Sequence, residues 1–465
     1  PPRYGDLSPY RDSLETMKTK ILQQGPFELR NIEFAEFRGV SIDTRSIKKG
    51  EIFCALPGSR FDGHRFVKIA LQYGAAAAMV SREYAATAAA DEALIIVEDT
   101  LFGLQDLARL YIRSLKIPVF ALTGSAGKTS TRRLLKHILS TSMKVAETPG
   151  NFNNRIGLPL SILGIRGDED LVLLEMGTSH PGEIRDLCSI VTPDYGLITS
   201  IGHAHMGGFI TIESVQKAKF ELFESVRKGG TLFINQNDPR VRNFPDSVRH
   251  NRIRYGINCP AHFNAKLQSL DEHACHTLKI EENLIRLKTP GPGAAQNAVA
   301  AYAVCRTLGL PAAAILPQIE SFRPEAGRGK MENWEGITLI DDSYNANPVS
   351  VKNALNTLKN IRCDGRKILV FADMLEMGEE SRSSHSRVAE EALESGVQHL
   401  FCYGKESLFT LLRARQLNFT FAHYYEDKRV LAEDLKFLSR PDDVILFKAS
   451  RGMAVEEIIQ IMKGL

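Results

Sequence analysis

The chain has 465 residues, of which 43% are hydrophobic and 24% are charged, and its formal net charge is +3. This length exceeds what one hydrophobic core normally organises, so we expect three domains. A net charge so close to zero argues against a protein that attracts nucleic acid through its overall charge. No apolar run approaches the ~18 residues that a membrane-spanning helix needs.

The seven cysteines are scattered along the chain without a Cys-x-x-Cys spacing. This pattern favours reduced thiols over a disulfide framework or a zinc site. The first twenty residues are polar and lack the apolar core of a signal peptide. We therefore expect a cytoplasmic chain, and because nothing marks an oligomer we expect a monomer.

Short β-rich runs alternate with helical patterns, which predicts the α/β fold class. A first segment, to residue 116, contains predicted strands at 51–56, 76–80 and 93–99 and a helix at 101–115. A second segment, residues 117–325, contains predicted strands at 118–124, 171–177, 195–202 and 230–235, an antiparallel region at 250–290 and a helix at 294–309. A third segment, residues 326–465, contains predicted strands at 337–342, 367–374 and 444–450 separated by helices, which is typical of a small Rossmann-like domain.

The sharpest local feature is a glycine-containing loop between the apolar strand at 118–124 and a helix. It comprises Gly124, Ser125, Ala126, Gly127, Lys128, Thr129 and Ser130. A strand, a glycine loop and a helix N-terminus together form a nest of backbone N–H groups that binds phosphate. Lys128 is placed to reach the terminal phosphates and Thr129 to bind Mg²⁺. Leu122 stands where the full phosphate-loop pattern has its first glycine, so the loop is a contracted version.

Four further motifs follow in order: GNFNNRIGLPLSIL (150–163), LLEMGTSHPGEI (173–184), HAHMGGF with KAKFEL (203–222) and DDSYNANPVSV (341–351). Together with the contracted loop they resemble the Mur ligase family, and the last two, with FADMLEMG (371–378) and KASRGMAVEEI (448–458), resemble its D-alanyl-D-alanine-adding branch. The resemblance covers almost the whole chain. It implies a UDP-substrate-binding N-terminal domain (1–116), a central ATP-binding domain with a mostly parallel sheet (117–325) and a Rossmann-like C-terminal domain (326–465).

The reaction implied by the resemblance uses ATP and Mg²⁺ to activate a carboxylate as an acyl phosphate, which an amine then displaces. The implied substrates are UDP-N-acetylmuramoyl-tripeptide and D-alanyl-D-alanine. Both steps concentrate negative charge, so cations and N–H dipoles are the expected catalysts. The resemblance makes Lys128, Glu175, His205, Lys219 and Arg328 the catalytic set.

The resemblance also assigns a Mg²⁺ site to Thr129, Glu175, His205 and a carbamylated Lys219. His205 matches the family position better than His203. Lys217 is a weaker candidate than Lys219 because it lies two residues earlier, on another side of the helix. A carbamate needs a neutral lysine amine, which burial favours.

For ATP, the family match adds Asn297 at the adenine, Arg328 at the γ-phosphate and Asp342 near the ribose. The usual Gly-Arg-His lead-in to this asparagine is replaced here by Gly291-Pro292-Gly293-Ala294, so a His or Arg contact at that point is not expected.

The remaining predicted residues recognise the two substrates. In the first domain they are Asp43, Thr44, Arg45, Asp62 and His64, for the UDP moiety. On the muramyl-peptide side they are Asn151, Asn153 and Asn154. In the third domain they are Tyr344, Asn345 and Asn347 in the loop typical of this branch, and Lys448, Ser450 and Arg451 for the dipeptide carboxylate.

Three other interpretations remain at this stage. A sibling Mur ligase would add a single amino acid, and folylpolyglutamate synthetase shares the contracted loop but generally lacks the first domain. A phosphate-loop GTPase or kinase-like regulator belongs to another class. A GTPase requires an Asn-Lys-x-Asp stretch, which the sequence lacks.

Overall fold

The computed structural model describes residues 17–58, 61–204, 206–245 and 249–464. It contains three separate mainly parallel sheets with helices packed against them, which confirms the predicted α/β class. The boundaries at 116/117 and 325/326 stay predictions. No helix within the described ranges is both long and apolar enough to cross a membrane.

The N-terminal part is built on a five-stranded sheet in the order β2-β7-β6-β5-β4, in which β2 is antiparallel and the other strands are parallel. The strands are β1 (Met17–Lys18), β2 (Glu28–Arg30), β3 (Glu36–Phe37), β4 (Val40–Ser41), β5 (Ile52–Cys54), β6 (Ala77–Ser81) and β7 (Leu94–Val97), with β1 and β3 forming a separate pair. The helices are α1 (Val67–Gln72), α2 (Arg82–Thr87) and α3 (Thr100–Leu115), with 3₁₀ turns at Thr19–Gln24 and Gly63–Phe66.

The central part contains nine strands in the order β16-β15-β14-β13-β12-β11-β8-β10-β9. They are β8 (Val119–Thr123), β9 (Val145–Glu147), β10 (Leu171–Glu175), β11 (Tyr195–Ile198), β12 (Thr231–Asn235), β13 (Asn251–Ile257), β14 (Phe263–Leu270), β15 (Cys275–Ile280) and β16 (Asn283–Pro290). Its helices are α4 (Lys128–Leu139), α5 (Gly157–Ile162), α6 (Glu183–Ile190), α7 (Ile212–Ser225), α8 (Pro239–Arg242), α9 (Pro292–Thr307) and α10 (Ala312–Ser321).

The C-terminal part has six strands in the order β17-β18-β22-β19-β20-β21, and only β17 is antiparallel. They are β17 (Lys330–Trp334), β18 (Ile337–Asp342), β19 (Lys367–Ala372), β20 (His399–Tyr403), β21 (Phe421–Tyr425) and β22 (Val444–Lys448). The helices are α11 (Pro348–Asn360), α12 (Ser381–Glu394), α13 (Leu408–Gln416), α14 (Lys428–Leu438) and α15 (Glu456–Lys463), with 3₁₀ turns at Gly378–Glu380 and Arg451–Met453.

The region at 250–290 is only partly antiparallel. The β14–β15 and β15–β16 pairs are antiparallel as expected, but β13 pairs in parallel with both β12 and β14. The short connection at 258–262 begins at Asn258 with φ 53° and brings the chain back in its original direction, so the prediction of an antiparallel region was wrong for β13.

Strand β8 lies inside the central sheet, between β10 and β11, and alternate side chains pack on its two faces. Phe120 and Leu122 belong to the apolar cluster on one face, and Val119 and Ala121 to the cluster on the other. Because strand order reverses beside β8, the crevice at its carboxyl end is where a ligand is expected in an open parallel sheet.

We predict that Leu173→Ala in β10 destabilises the central sheet by about 2–5 kcal/mol, since Leu173 is fully buried and its truncation leaves a cavity. Thermal unfolding followed by scanning calorimetry measures the effect. Leu284→Ala in β16 is the control, because Leu284 is 60% exposed, and it should leave the transition almost unmoved. Equal melting temperatures for both variants would contradict this packing.

Candidate active site

The candidate site lies where the carboxyl ends of the central strands face those of the C-terminal strands. The phosphate loop follows β8, Glu175 ends β10 and Asp342 ends β18. A cavity of ≈ 760 Å³ fills the space between these three features. A neighbouring cavity of ≈ 170 Å³ shares Gly127, Arg328 and Asp342 with it.

The predicted phosphate loop follows β8 and leads into α4, as the sequence indicates. Gly124 has φ +155°, and a Cβ placed there would lie 1.9 Å from Oγ1 of Thr199. Gly127 precedes α4 with φ 82°, a left-handed conformation that favours glycine. The Ser125 backbone N–H donates to the carbonyl of Ser200 over 2.9 Å, so the loop is held against the end of β11.

Lys128 is the first residue of α4, and its ammonium donates to the Gly124 carbonyl over 2.6 Å. Burial lowers the pKa of Lys128, the Glu175 carboxylate opposes this shift, and the Arg328 guanidinium adds to it. The lysine therefore faces the loop interior, where phosphate oxygens would replace the carbonyl as its partners.

Glu175 is only 2% exposed, and both of its carboxylate oxygens accept hydrogen bonds. Thr129 Oγ1 donates to Oε2 over 2.8 Å, and Asn153 Nδ2 donates to Oε1 over 3.0 Å. Burial would raise the pKa of Glu175, but the charges of Arg132 and Lys128 and the Thr129 hydrogen bond together hold it below its ordinary value. The residue is therefore a carboxylate whose charge is offset by neighbouring cations.

Three of the four residues predicted to bind Mg²⁺ lie within the described residues. Thr129 and Glu175 are in contact, while Lys219 is 2% exposed on α7. Burial, with a smaller contribution from the charge of Lys128, lowers the pKa of Lys219 well below its ordinary value. His205 lies outside the described residues. Among the described residues no three His, Cys, Asp or Glu side chains form a metal cluster.

The smaller cavity is lined by the predicted adenine residue, Asn297 of α9. Its Oδ1 accepts from Thr131 Oγ1 over 3.1 Å and lies close to Gly127, so the amide stands beside the phosphate loop. Gly293 and Ala294, from the altered lead-in, also line this cavity. The cavity lies next to the phosphate loop, and larger apolar side chains such as Leu134, Leu287 and Phe322 complete its lining.

Arg328 lines both cavities, and its guanidinium stacks on the ring of Tyr344, 3.8 Å from the centroid. Arg451 approaches the same ring at 5.8 Å. An aromatic face attracts guanidinium groups and limits their rotation. Tyr344 therefore holds a positive charge at the junction of the two cavities.

Lys448 lines the larger cavity, but its ammonium is already paired. It lies 2.9 Å from the Asp342 carboxylate and also donates to the Asn345 carbonyl. Ser450 is also buried, and its hydroxyl accepts from the Leu375 backbone N–H over 2.9 Å. Burial raises the pKa of Asp342 against the opposing charge of Lys448. Arg451 in turn pairs with Glu456, so all three residues predicted to meet a dipeptide carboxylate have partners within the C-terminal part.

Asn347 connects the C-terminal part to the phosphate loop. Its Nδ2 donates to the Ser125 carbonyl over 3.0 Å, while its Oδ1 accepts from the Ser350 backbone N–H and caps α11. The Asn345 side chain accepts from the backbone N–H of the next residue, Ala346. The predicted branch-specific loop thus contacts the nucleotide-binding element directly.

The three asparagines at 151, 153 and 154 all line the larger cavity. Asn153 is used to hold Glu175, and Asn154 Oδ1 accepts from the backbone N–H groups of Ile156 and Gly157 at the start of α5. Asn151 is exposed. These asparagines form the wall of the cavity opposite the C-terminal part.

The predicted UDP-recognition residues lie away from both cavities. Asp43 and Arg45 form an exposed ion pair with each other at 2.6 Å, next to Thr44. Asp62 accepts from His64 at 2.7 Å, and the other His64 ring nitrogen accepts from the Ser81 backbone N–H. None of these five is among the lining residues of the larger cavity, to which the N-terminal part contributes Leu101.

Sequence reasoning missed two buried residues that contact this site, Arg132 and Thr148. Arg132 Nε lies 3.3 Å from Glu175 Oε2, and Thr148 Oγ1 accepts from the Glu175 backbone N–H over 2.9 Å. Arg132 follows Lys128 by one helical turn and precedes the apolar Leu135 by one turn, so it lies on the same face of the helix. A charged residue on that face was a signal of a buried ion pair.

Comparisons with known proteins identify all three parts. Residues 36–112 match the family described as Mur ligase family, catalytic domain, residues 122–305 match Mur ligase middle domain, and residues 327–451 match Mur ligase, glutamate ligase domain. A Bacillus subtilis relative, UDP-N-acetylmuramoyl-tripeptide–D-alanyl-D-alanine ligase, is 33% identical over 91% of this chain and 92% of its own.

Two solved structures share the architecture. MurF from Acinetobacter baumannii superposes with a TM-score of 0.87 at 27% identity, covering 97% of this chain and all of that one. MurF ligase from Thermotoga maritima in complex with ADP gives a TM-score of 0.81 at 27% identity, covering 92% of this chain and 97% of that one. The family resemblance read from the motifs is confirmed.

We predict that Gly124→Ala weakens ADP binding at least about tenfold, because the new Cβ would displace Thr199 and the loop that faces the phosphates. Isothermal calorimetry measures this. Gly164→Ala is the control, since a Cβ there makes only ordinary contacts at 3.4 Å or more. Unchanged affinity in the Gly124 variant would count against the loop as the phosphate site.

Proposed function

Because the chain belongs to the Mur ligase family, we propose that it joins D-alanyl-D-alanine to UDP-N-acetylmuramoyl-tripeptide at the expense of ATP. One observation carries this proposal beyond the fold. A single cavity is lined by the phosphate loop, by Glu175 and by the loop Tyr344–Asn347 of the C-terminal part. A phosphoryl donor, an acid and an amine can therefore meet there.

In the first step we propose that a substrate carboxylate oxygen attacks the γ-phosphorus of ATP and displaces ADP, which gives an acyl phosphate. Lys128 and the loop N–H groups bind the phosphates, and Arg328 reaches the γ-phosphoryl group from the domain junction. A rigid guanidinium suits that group because it can donate two parallel hydrogen bonds. The stacking of Arg328 on Tyr344 at 3.8 Å supports this position.

In the second step the dipeptide amine attacks the acyl carbon, and phosphate leaves as the C–N bond forms. This chemistry requires no protein nucleophile, so the chain contributes positioning and neutralises charge. Arg451 pairs with Glu456, but its side chain is 62% exposed and lines the cavity, which supports an exchange of that partner for the dipeptide carboxylate. Lys448 and Ser450 then act by holding the loop at 342–346.

We propose that Mg²⁺ is held by Thr129, Glu175, His205 and Lys219, the last as its carbamate. The buried Glu175 carboxylate beside a hydroxyl offers the oxygen donors that this ion prefers. The lowered pKa of Lys219 supports a neutral amine able to take up carbon dioxide. The bound ion would offset charge between the nucleotide phosphates.

For nucleotide and UDP-substrate binding we retain the residues predicted from sequence. Asn297 lines the smaller cavity and would bind adenine, while Asp342 at its other side would contact the ribose. Asp43, Thr44, Arg45, Asp62 and His64 would receive the UDP moiety. Asn153 would line the muramyl-peptide side of the cavity and also hold Glu175, to which its side chain donates a hydrogen bond.

The alternative functions are less favoured. A sibling Mur ligase or folylpolyglutamate synthetase would not account for a relative that is 33% identical over 91% of the chain and carries the dipeptide-adding name. A regulatory phosphate-loop NTPase would not account for matches to Mur ligase domains in all three parts.

The proposal predicts that phosphate release from ATP requires both UDP-N-acetylmuramoyl-tripeptide and D-alanyl-D-alanine. Coupled phosphate detection with each substrate omitted in turn, and mass spectrometry of the product, tests this. Lys128→Ala should reduce turnover to near background. Phosphate release with a single free amino acid in place of the dipeptide would identify a sibling activity instead.

Lys219→Ala should also lose most activity, and millimolar formate or acetate should restore part of it, because a small carboxylate can replace the carbamate oxygens. The same salts added to Lys217→Ala serve as the control. Full activity in Lys219→Ala without added carboxylate would remove this residue from the metal site.

A further inference from the structure

Arg132 of α4 is fully buried, and its donors reach four groups. Nε lies 3.3 Å from Glu175 Oε2, while one terminal nitrogen donates to the Glu147 carboxylate and to the Thr148 carbonyl. The other terminal nitrogen donates to the Gly150 carbonyl over 3.2 Å. An arginine removed from water requires such partners, since its charge cannot be released.

These partners lie on several of the elements around Glu175. Glu147 ends β9, Thr148 and Gly150 start the loop that leads to Asn153, and Arg132 itself belongs to the helix that starts at Lys128. The rigid, planar guanidinium of Arg132 therefore connects the phosphate-loop helix, the Glu175 carboxylate and the loop that carries Asn153.

Glu147 anchors this arginine. Its side chain is 1% exposed, and its other oxygen receives Arg133 at 3.2 Å and Lys136 at 3.4 Å. Of these three cations, it is Arg132 that also pairs with Glu175. Arg132 is therefore the charged side chain that bridges the two buried carboxylates, which keeps them apart and fixes the direction of Glu175.

Held in this way, Glu175 has a defined orientation. Thr129 and Arg132 both donate to Oε2, and Asn153 donates to Oε1. The two neutral donors can follow a rotating carboxylate, because a hydroxyl and an amide adapt by turning about their own bonds. The guanidinium cannot follow, since Glu147 and two carbonyls hold it.

We propose that Arg132 is a positioning residue of the ligase reaction, which fixes the Glu175 carboxylate and the loop carrying Asn153 through its anchor on Glu147. This inference rests on the proposed function of Glu175 at the Mg²⁺ site. It assigns no contact between Arg132 and substrate.

The test uses the double variant Arg132→Met/Glu147→Gln, which removes the bridging pair without leaving either charge alone. Supporting partners of metal-binding side chains typically change metal affinity or activity by about 10–100-fold when removed. We expect turnover to fall by that factor and the Mg²⁺ concentration for half-maximal turnover to rise. ADP affinity measured by calorimetry in EDTA should stay within about threefold of wild type, whereas the gain in affinity on adding Mg²⁺ should shrink.

Arg132→Lys keeps the charge but loses the planar fork, so it should show the same pattern to a smaller extent, and it carries the test if the double variant does not fold. Lys136→Met is the matched control: it removes another cation from Glu147 on the same helix and should behave as wild type. Melting temperatures are recorded for every variant.

Two results would overturn the inference: folded variants with wild-type turnover and Mg²⁺ dependence, or variants that lose ADP affinity equally in EDTA, which would indicate a general structural role. The variant Glu175→Gln distinguishes a failure of the positioning role of Arg132 from a failure of the proposed function of Glu175. An active Glu175→Gln enzyme would refute the metal role itself, whereas an inactive one beside wild-type Arg132 variants would refute only the positioning role.

Discussion

A buried carboxylate surrounded by cations is the constraint on which the rest of the site depends. Glu175 is removed from water at the end of β10, where an unpaired charge would be strongly unfavourable. Arg132, Lys128 and Arg328 offset it from three directions. Since Arg132 and Lys128 belong to α4 and Glu175 ends β10, pairing this charge holds the phosphate-loop helix against the central sheet, and the charge of Arg328 adds to it from the C-terminal part.

The C-terminal part completes the site through a few specific contacts. Asn347 bonds the phosphate loop through the Ser125 carbonyl, and Glu380 pairs with His203 at 2.7 Å. The Gly207 backbone N–H donates to the Glu376 carbonyl over 2.9 Å. These polar contacts join the C-terminal part to the phosphate loop and to the segment that follows β11.

Much of the fold was readable from local pattern. Every strand predicted from an apolar run lies on an observed strand, and the phosphate loop has the strand and helix that its sequence demands. Strands β9, β17, β20 and β21 were missed, and three of them, β9, β17 and β21, lie at sheet edges, where a strand need not show the continuous apolar run of a buried parallel strand. The direction of β13 relative to β14 was also misjudged, since a short connection normally makes a hairpin.

For the candidate site, motifs indicated which residue types gather, but not what each side chain contacts. Lys448 and Ser450 follow a strand end, as a ligand-binding residue would, yet the structure pairs them with Asp342 and with the loop at 375. Asn153 was expected at the substrate and is bonded to Glu175. Such pairings join residues that are distant in the chain, and no local pattern encodes them.

The sequence by itself determined the α/β class, the phosphate loop and the family, because strand hydrophobicity, glycine conformations and ordered motifs are properties of short segments. Only the tertiary structure decided that Arg132 and Glu147 support Glu175 and that Tyr344 stacks on Arg328. These contacts arise when strands, helices and loops that are distant in the chain pack together within each part. Burial then forces each charge to find a partner from whichever element lies nearest.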